Sequence, residues 1–145
     1  MPRVILIVHL LGAAVWVGGH VVLLLSVLPK ALRQQDASMI LVFEERYERI
    51  GIPALLLQVA SGLWLANRFV PGIWPAFAFQ DPLQRMVAAK LLLLLATVAL
   101  GAHARLRIIP RLTSQRLKAL AWHILLINFL GLALLILGTF FRPNG

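Results

Sequence analysis

Four long apolar runs, at residues 4–28, 50–69, 86–109 and 118–141, alternate with shorter charged or proline-rich stretches. Each has about 20 residues or more, enough for an α-helix to cross a bilayer. The first closes at Leu28-Pro29-Lys30, a helix stop followed by a cation. Residues 31–49 are mixed, with Glu44, Glu45, Arg46, Glu48 and Arg49 at helical spacings. That spacing predicts a solvated interfacial helix with internal ion pairs. Residues 70–84 hold Pro71, Trp74, Pro75, Phe77, Phe79 and Pro82. Such a loop suits the headgroup region, and a lid over a pocket is the alternative. The short connection at residues 110–117 makes the third and fourth runs antiparallel neighbours. The last run stops at Phe141-Arg142-Pro143. The pattern predicts an all-α, integral membrane four-helix up-and-down bundle, a single membrane domain over residues 1–145 without an internal repeat.

One face of the first run is not lipid-like. At about 100° per residue, His9, Gly12, Ala13, Trp16 and His20 fall on a single stripe. Polar groups at membrane depth usually face the bundle interior or a cavity. The second run carries Gln58, Ser61 and Gly62 near its middle and Asn67 near its end. Small and polar residues there mark helix–helix contact or line a cofactor or quinone pocket.

Composition agrees with the pattern. Hydrophobic residues make up 61% of the 145, against roughly 45–50% in soluble domains. There is no cysteine, which excludes disulfides, thiolate metal sites and iron–sulfur clusters. The net charge of +9 clusters at the ends of the apolar runs, as headgroups and insertion favour, and does not imply nucleic acid. The first run is too long for a signal-peptide core, so a retained helix is expected. Lys30, Arg33, Arg46, Arg49, Arg105, Arg107, Arg111, Arg116 and Lys118 flank one side, and Arg3, Arg68, Arg85, Lys90 and Arg142 the other. The richer side is expected to face the cytoplasm of a bacterial-type inner membrane, with both termini periplasmic.

Every histidine lies inside a run. At 1.5 Å per residue, His20, His103 and His123 fall on the basic half, each roughly 6–10 Å from its span's centre. His9 and Lys90 fall together on the other half, about 11 Å from centre. On the third helix Lys90 and His103 are about 140° apart, so they cannot both point at the bundle axis. Three imidazoles at one level predict a metal or cofactor site, with hydrogen-bonded packing as the alternative. Facing helices can supply axial imidazoles to b-type haem. Gly18 and Gly19 would let the macrocycle approach, and Arg105, Arg107 and Arg111 would pair with propionates. Imidazole also suits copper. Cu(I) transfer would favour thiolate or thioether, yet cysteine is absent and Met1, Met39 and Met86 are expected to lie away from the cluster. His9 with Lys90 could hold a second ligand or pass a proton, or Lys90 could snorkel to the interface.

The segment HLLGAAVWVGGH at residues 9–20 resembles the opening of CopD-type copper-resistance membrane proteins. So do residues 89–112 and the stretch from RLKALAWHILL to FFRP. That resemblance implies a role in copper handling, with His9, His20, His103 and His123 as ligands. His9 before Trp16, residues 43–62 and AKL at residues 89–91 also resemble HemJ-type protoporphyrinogen oxidases. This second resemblance implies haem b, with His9 and Lys90 as functional residues; His20 and His123 lie outside its pattern. Together these readings predict a CopD-like protein with a histidine-ligated centre, haem b or copper. Such a centre would serve electron transfer linked to copper or quinone chemistry with a redox partner. Copper binding or transport without haem and a HemJ-like protoporphyrinogen oxidase are the alternatives, and the chain could form a homo-oligomer.

Overall fold

The computed structural model describes residues 2–140. The stop expected at Phe141-Arg142-Pro143 lies outside the described residues. Four helices are long and apolar enough to cross a membrane: Arg3–Gln34, Ser38–Phe69, Pro82–Arg111 and Ser114–Thr139. The first comprises α1 (Pro2–Val22), a π-helical turn (Leu23–Val27) and α2 (Leu28–Gln34). The second is α3 (Ser38–Phe69). The third joins α4 (Pro82–His103) to a second π-helical turn (Ala104–Ile108) and a short 3₁₀ turn (Ile109–Arg111). After another 3₁₀ turn, the fourth is α5 (Leu117–Thr139).

The helices exceed the apolar runs at both ends of the first connection. Residues 31–49 are helical almost throughout, and the turn between spans is only residues 35–37. A helix need not end where its residues become charged, because an exposed polar face is already solvated. Gln35 closes α2 with a left-handed backbone (φ 51°), a common helix ending. Asp36 Oδ1 then accepts the Ser38 N–H at 2.8 Å. Hydrogen bonds from Ser38 hold the Asp36 carboxyl below the usual carboxylate range. The Ser114 hydroxyl donates to the Gln35 carbonyl at 2.5 Å, tying the first connection to the third.

Both π turns precede a proline. The Leu28 N–H reaches back to the Leu23 carbonyl, and the Ile109 N–H to the Ala104 carbonyl, each five residues away. Pro29 and Pro110 follow immediately. Proline lacks an N–H and collides with the carbonyl four residues earlier. The wider π turn gives that carbonyl room; the first span runs on past Pro29 to Gln34, and the third ends in a 3₁₀ turn at Arg111, just beyond Pro110. The same device occurs in two spans that run the same way, a local repeat although the chain has no long one.

In the bundle, α1 packs along α3 and against α5, and α4 packs along α5. The lateral order is therefore second, first, fourth, third. Leu23, Leu28, Ala31, Ile40, Ala104, Ile108, Leu117, Leu120 and Ile124 form the core of the basic end. Trp16, Val17 and Ile127 pack in the middle. At the other end Val70, Ala76, Val87 and Ala88 cluster, so the 3₁₀ turn Trp74–Ala78 sits on the start of α4. Asp81 begins α4 by accepting the Gln84 N–H at 2.8 Å, an N-cap bond. Large apolar side chains such as Leu25, Leu56, Leu95, Leu106 and Phe129 are exposed, as expected where lipid and not water surrounds the bundle.

Internal ion pairs within residues 44–49 are not formed among the described residues. Instead Glu48 reaches across to the third span, where Arg105 Nη2 lies 2.7 Å from Glu48 Oε1 and from Oε2. Both side chains remain partly exposed, so the pair contributes at most about 1 kcal/mol. Glu48→Gln should lower unfolding stability in detergent by less than about 1 kcal/mol, a difference that shrinks at high salt. A salt-independent loss above about 2 kcal/mol would mean that the pair acts as a buried one.

Candidate metal centre

Two of the four histidines meet. His103, at the end of α4, and His123, in the second turn of α5, are brought together by the antiparallel packing of those helices. His103 Nδ1 lies 3.0 Å from His123 Nε2. Their rings stack with centroids 5.1 Å apart and planes 22° from parallel. His123 Nδ1 lies 3.0 Å from the Ala119 carbonyl oxygen. A carbonyl only accepts, so His123 carries its proton on Nδ1 and its Nε2 is a free lone pair. The proton between the rings therefore belongs to His103 Nδ1, and the outer Nε2 of His103 is unprotonated in the neutral pair. His103 is exposed and His123 half-buried, beside the exposed Trp122. An exposed tryptophan there fits the headgroup level.

His20 is not a third member of this pair. Its Nδ1 lies 2.9 Å from the Trp16 carbonyl oxygen. Its ring lies against Trp16, with centroids 4.4 Å apart, and meets Tyr47 of α3 edge-on at 5.8 Å. The His20 carbonyl accepts from Asn128 Nδ2 at 3.1 Å. Asn128 lies five residues beyond His123, about 7.5 Å deeper at the helical rise. His20 thus sits below the pair and faces another helix. The expected cluster of three imidazoles is not formed: among the described residues no group of three or more His, Cys, Asp or Glu is gathered to hold an ion.

The features expected to admit a macrocycle have other occupants. At Gly19 the Tyr47 ring fills the space where a Cβ would stand, and only Gly18 is open. The Tyr47 hydroxyl donates to the Val15 and Trp16 carbonyls at 3.1 and 2.9 Å. Arg105 is engaged by Glu48, while Arg107 and Arg111 are exposed.

At the opposite half, His9 Nδ1 lies 2.9 Å from the Gln58 carbonyl oxygen and 3.2 Å from Ser61 Oγ. The Ser61 hydroxyl donates to the Leu57 carbonyl at 2.5 Å, so its oxygen can accept from His9. The His9 ring lies over Gly62, where a Cβ would come within 2.9 Å of Cε1. Gln58, Ser61 and Gly62 therefore serve contact between the first two spans. Gln58 Oε1 is buried without a hydrogen-bond partner among the described residues. The Lys90 ammonium stands 3.6 Å from where a Gly138 Cβ would be, beside the last turn of α5. The negative end of that helix favours a cation there. Lys90 and His103 both meet α5, near its opposite ends.

The aromatic slot of Tyr47 was not legible in the sequence. Its signal was a single tyrosine level with two glycines, Gly19 and Gly51, both of which would collide with its ring if given a Cβ.

The model of the family described as Copper resistance protein D (CopD) matches residues 41–141, well over half of the chain. The matched segment contains His103 and His123 and excludes His9 and His20. No curated protein and no solved structure matches. The likeness to HemJ-type oxidases therefore rests on its short sequence stretches alone.

Proposed function

Because the chain belongs to the copper resistance protein D (CopD) family, we propose that it is a copper-handling membrane protein whose ion is held by the His103–His123 pair. The observation that supports this most is the hydrogen bond between those imidazoles, inside the matched segment. Two ring nitrogens already face one another with only a proton between them. The Ala119 carbonyl fixes the His123 tautomer, as outer-shell carbonyls do for metal-ligating histidines. For His103 to bind through Nδ1, its proton must move to the exposed Nε2, which solvent can supply or receive. The pair would stay neutral, and copper would take the place of the shared proton.

His103 would hold the ion through Nδ1 and His123 through Nε2, the nitrogens that lie 3.0 Å apart, and imidazole nitrogen suits copper. The rings need to turn so that both lone pairs converge, and the exposed side of His103 leaves room. Two imidazoles leave further coordination positions open to an incoming donor. Such a site suits passage of an ion better than storage. The basic end would lie on the cytoplasmic side of a bacterial inner membrane, placing the pair at the inner headgroup level.

Haem does not fit the residues as they are arranged. His20 and His103 are turned to different partners, the Gly19 approach is filled by Tyr47, and Arg105 is paired.

Copper binding to the purified protein tests the reading. His103→Ala and His123→Ala should each weaken affinity for copper by at least tenfold and lower copper tolerance of the producing cells. His9→Ala, in the other half, should keep the affinity. Retained affinity in both pair variants would show that the imidazoles only pack α4 against α5.

A further inference from the structure

At the basic end, one face of α3 forms an open groove of about 460 Å³ lined by Met39, Val42, Phe43, Arg46, Tyr47 and Ile50. These positions recur at helical spacing, so they make one continuous stripe. Beside it a second hollow is lined by Val42, Glu45, Arg46 and Arg49. Arg46 and Arg49 are exposed and form no ion pair among the described residues. The only acid in either lining is Glu45, so the local balance is positive. Below Arg49 the stripe continues through exposed Ile50 and Leu57, on a helix long and apolar enough to cross the membrane.

We propose that this groove binds an acidic phospholipid of the leaflet at the basic end. The phosphate group would lie between the Arg46 and Arg49 guanidiniums, and an acyl chain would run along Ile50 toward Leu57. Guanidinium groups bind phosphate oxygens through paired N–H donors. The apolar floor adds acyl contact that a free anion would not use. A basic residue near an anionic leaflet contributes about 1 kcal/mol of attraction. From Arg46 and Arg49 toward the middle of the span the same face turns aliphatic at Ile50 and Leu57, which matches a phospholipid from phosphate to chain. The aromatic floor includes Tyr47, whose ring packs against His20 and Phe43. A bound lipid would therefore brace the side of the bundle that faces His20. This inference does not depend on the copper reading.

Native mass spectrometry of the full chain released from detergent tests it, with phosphatidylglycerol and phosphatidylcholine of equal acyl chains as probes. Retention of phosphatidylglycerol should exceed that of phosphatidylcholine severalfold. The double variant Arg46→Gln/Arg49→Gln should remove the excess, and Arg33→Gln, an exposed cation at the same end but outside the groove, should keep it. Inorganic phosphate in equal amount should leave retention unchanged. Equal retention of the two lipids, or an equal loss in Arg33→Gln, would overturn the proposal in favour of diffuse surface charge. Full competition by phosphate would overturn it in favour of a free-anion site.

Discussion

Gly12→Leu is expected to pry the first span from the second and to cause one of the largest stability losses of any single substitution in this chain. A Cβ at Gly12 would stand 2.8 Å from the Ala54 carbonyl oxygen, 3.0 Å from Gln58 Cβ and 3.2 Å from Gln58 N. Two of those atoms are backbone and cannot rotate away. The contact is the close helix approach that small residues permit in membranes. Overpacking typically costs about 1–3 kcal/mol, and leucine adds three more carbons than the Cβ already excluded, so the loss should reach the top of that range or exceed it. The His9 hydrogen bond to the Gln58 carbonyl would be disturbed as well. Gly18 provides the control on the same helix, because nothing lies within 4 Å of its Cβ position. Gly18→Ala should leave stability unchanged or raise it by up to about 1 kcal/mol through helix propensity. Denaturant unfolding in detergent, followed by circular dichroism, compares the two. Equal effects at Gly12 and Gly18 would show that close approach of α1 and α3 is not what holds them.

Gly19→Ala should be the second severe change, for a different reason. Its Cβ would overlap the Tyr47 ring atoms Cε2 and Cζ. The ring is confined from its other edge too, where a Gly51 Cβ would come within 2.6 Å of Cε1. It is further held by the hydroxyl's bonds to the Val15 and Trp16 carbonyls. Displacing it forfeits those bonds, worth about 1 kcal/mol net each, and leaves the side of His20 uncovered. A loss of about 2–4 kcal/mol is expected from these terms with the overpacking. Because the obstacle is a side chain, the damage should be reversible by trimming it: adding Tyr47→Leu to Gly19→Ala should recover part of the stability, measured by the same unfolding experiment. If the double variant is as unstable as the sum of the two singles, the ring is not the obstacle.

The shared source of both effects, a face of α1 made of small residues, was readable in advance. His9, Gly12, Ala13, Trp16 and His20 lie on one stripe, and Gly12, Ala13 and Trp16 are buried while His9 and His20 are half-buried. Helical periodicity is a local property, so the sequence alone determined that this face turns inward and that four helices cross the membrane. The family resemblance was legible for the same reason, in short stretches along the helices. Depth along a helix is also local: it set His20, His103 and His123 at one level, whereas in the bundle His103 and His123 meet and His20 lies deeper.

What each inward residue meets depended on the tertiary structure. Helix order and rotation decided that His103 faces His123, whereas His20 turns to Trp16 and Tyr47. They also decided that Glu48 pairs with Arg105 from the third span and not with a neighbour in its own helix. The prolines show the limit of local reasoning most clearly. Pro29 reads as a stop, but of the π turns before Pro29 and Pro110 the first lets its helix continue to Gln34. Those turns lie in the packed core of the basic end. Contacts from other helices can stabilise a backbone departure that an isolated segment has no means to stabilise, and no periodicity announces them.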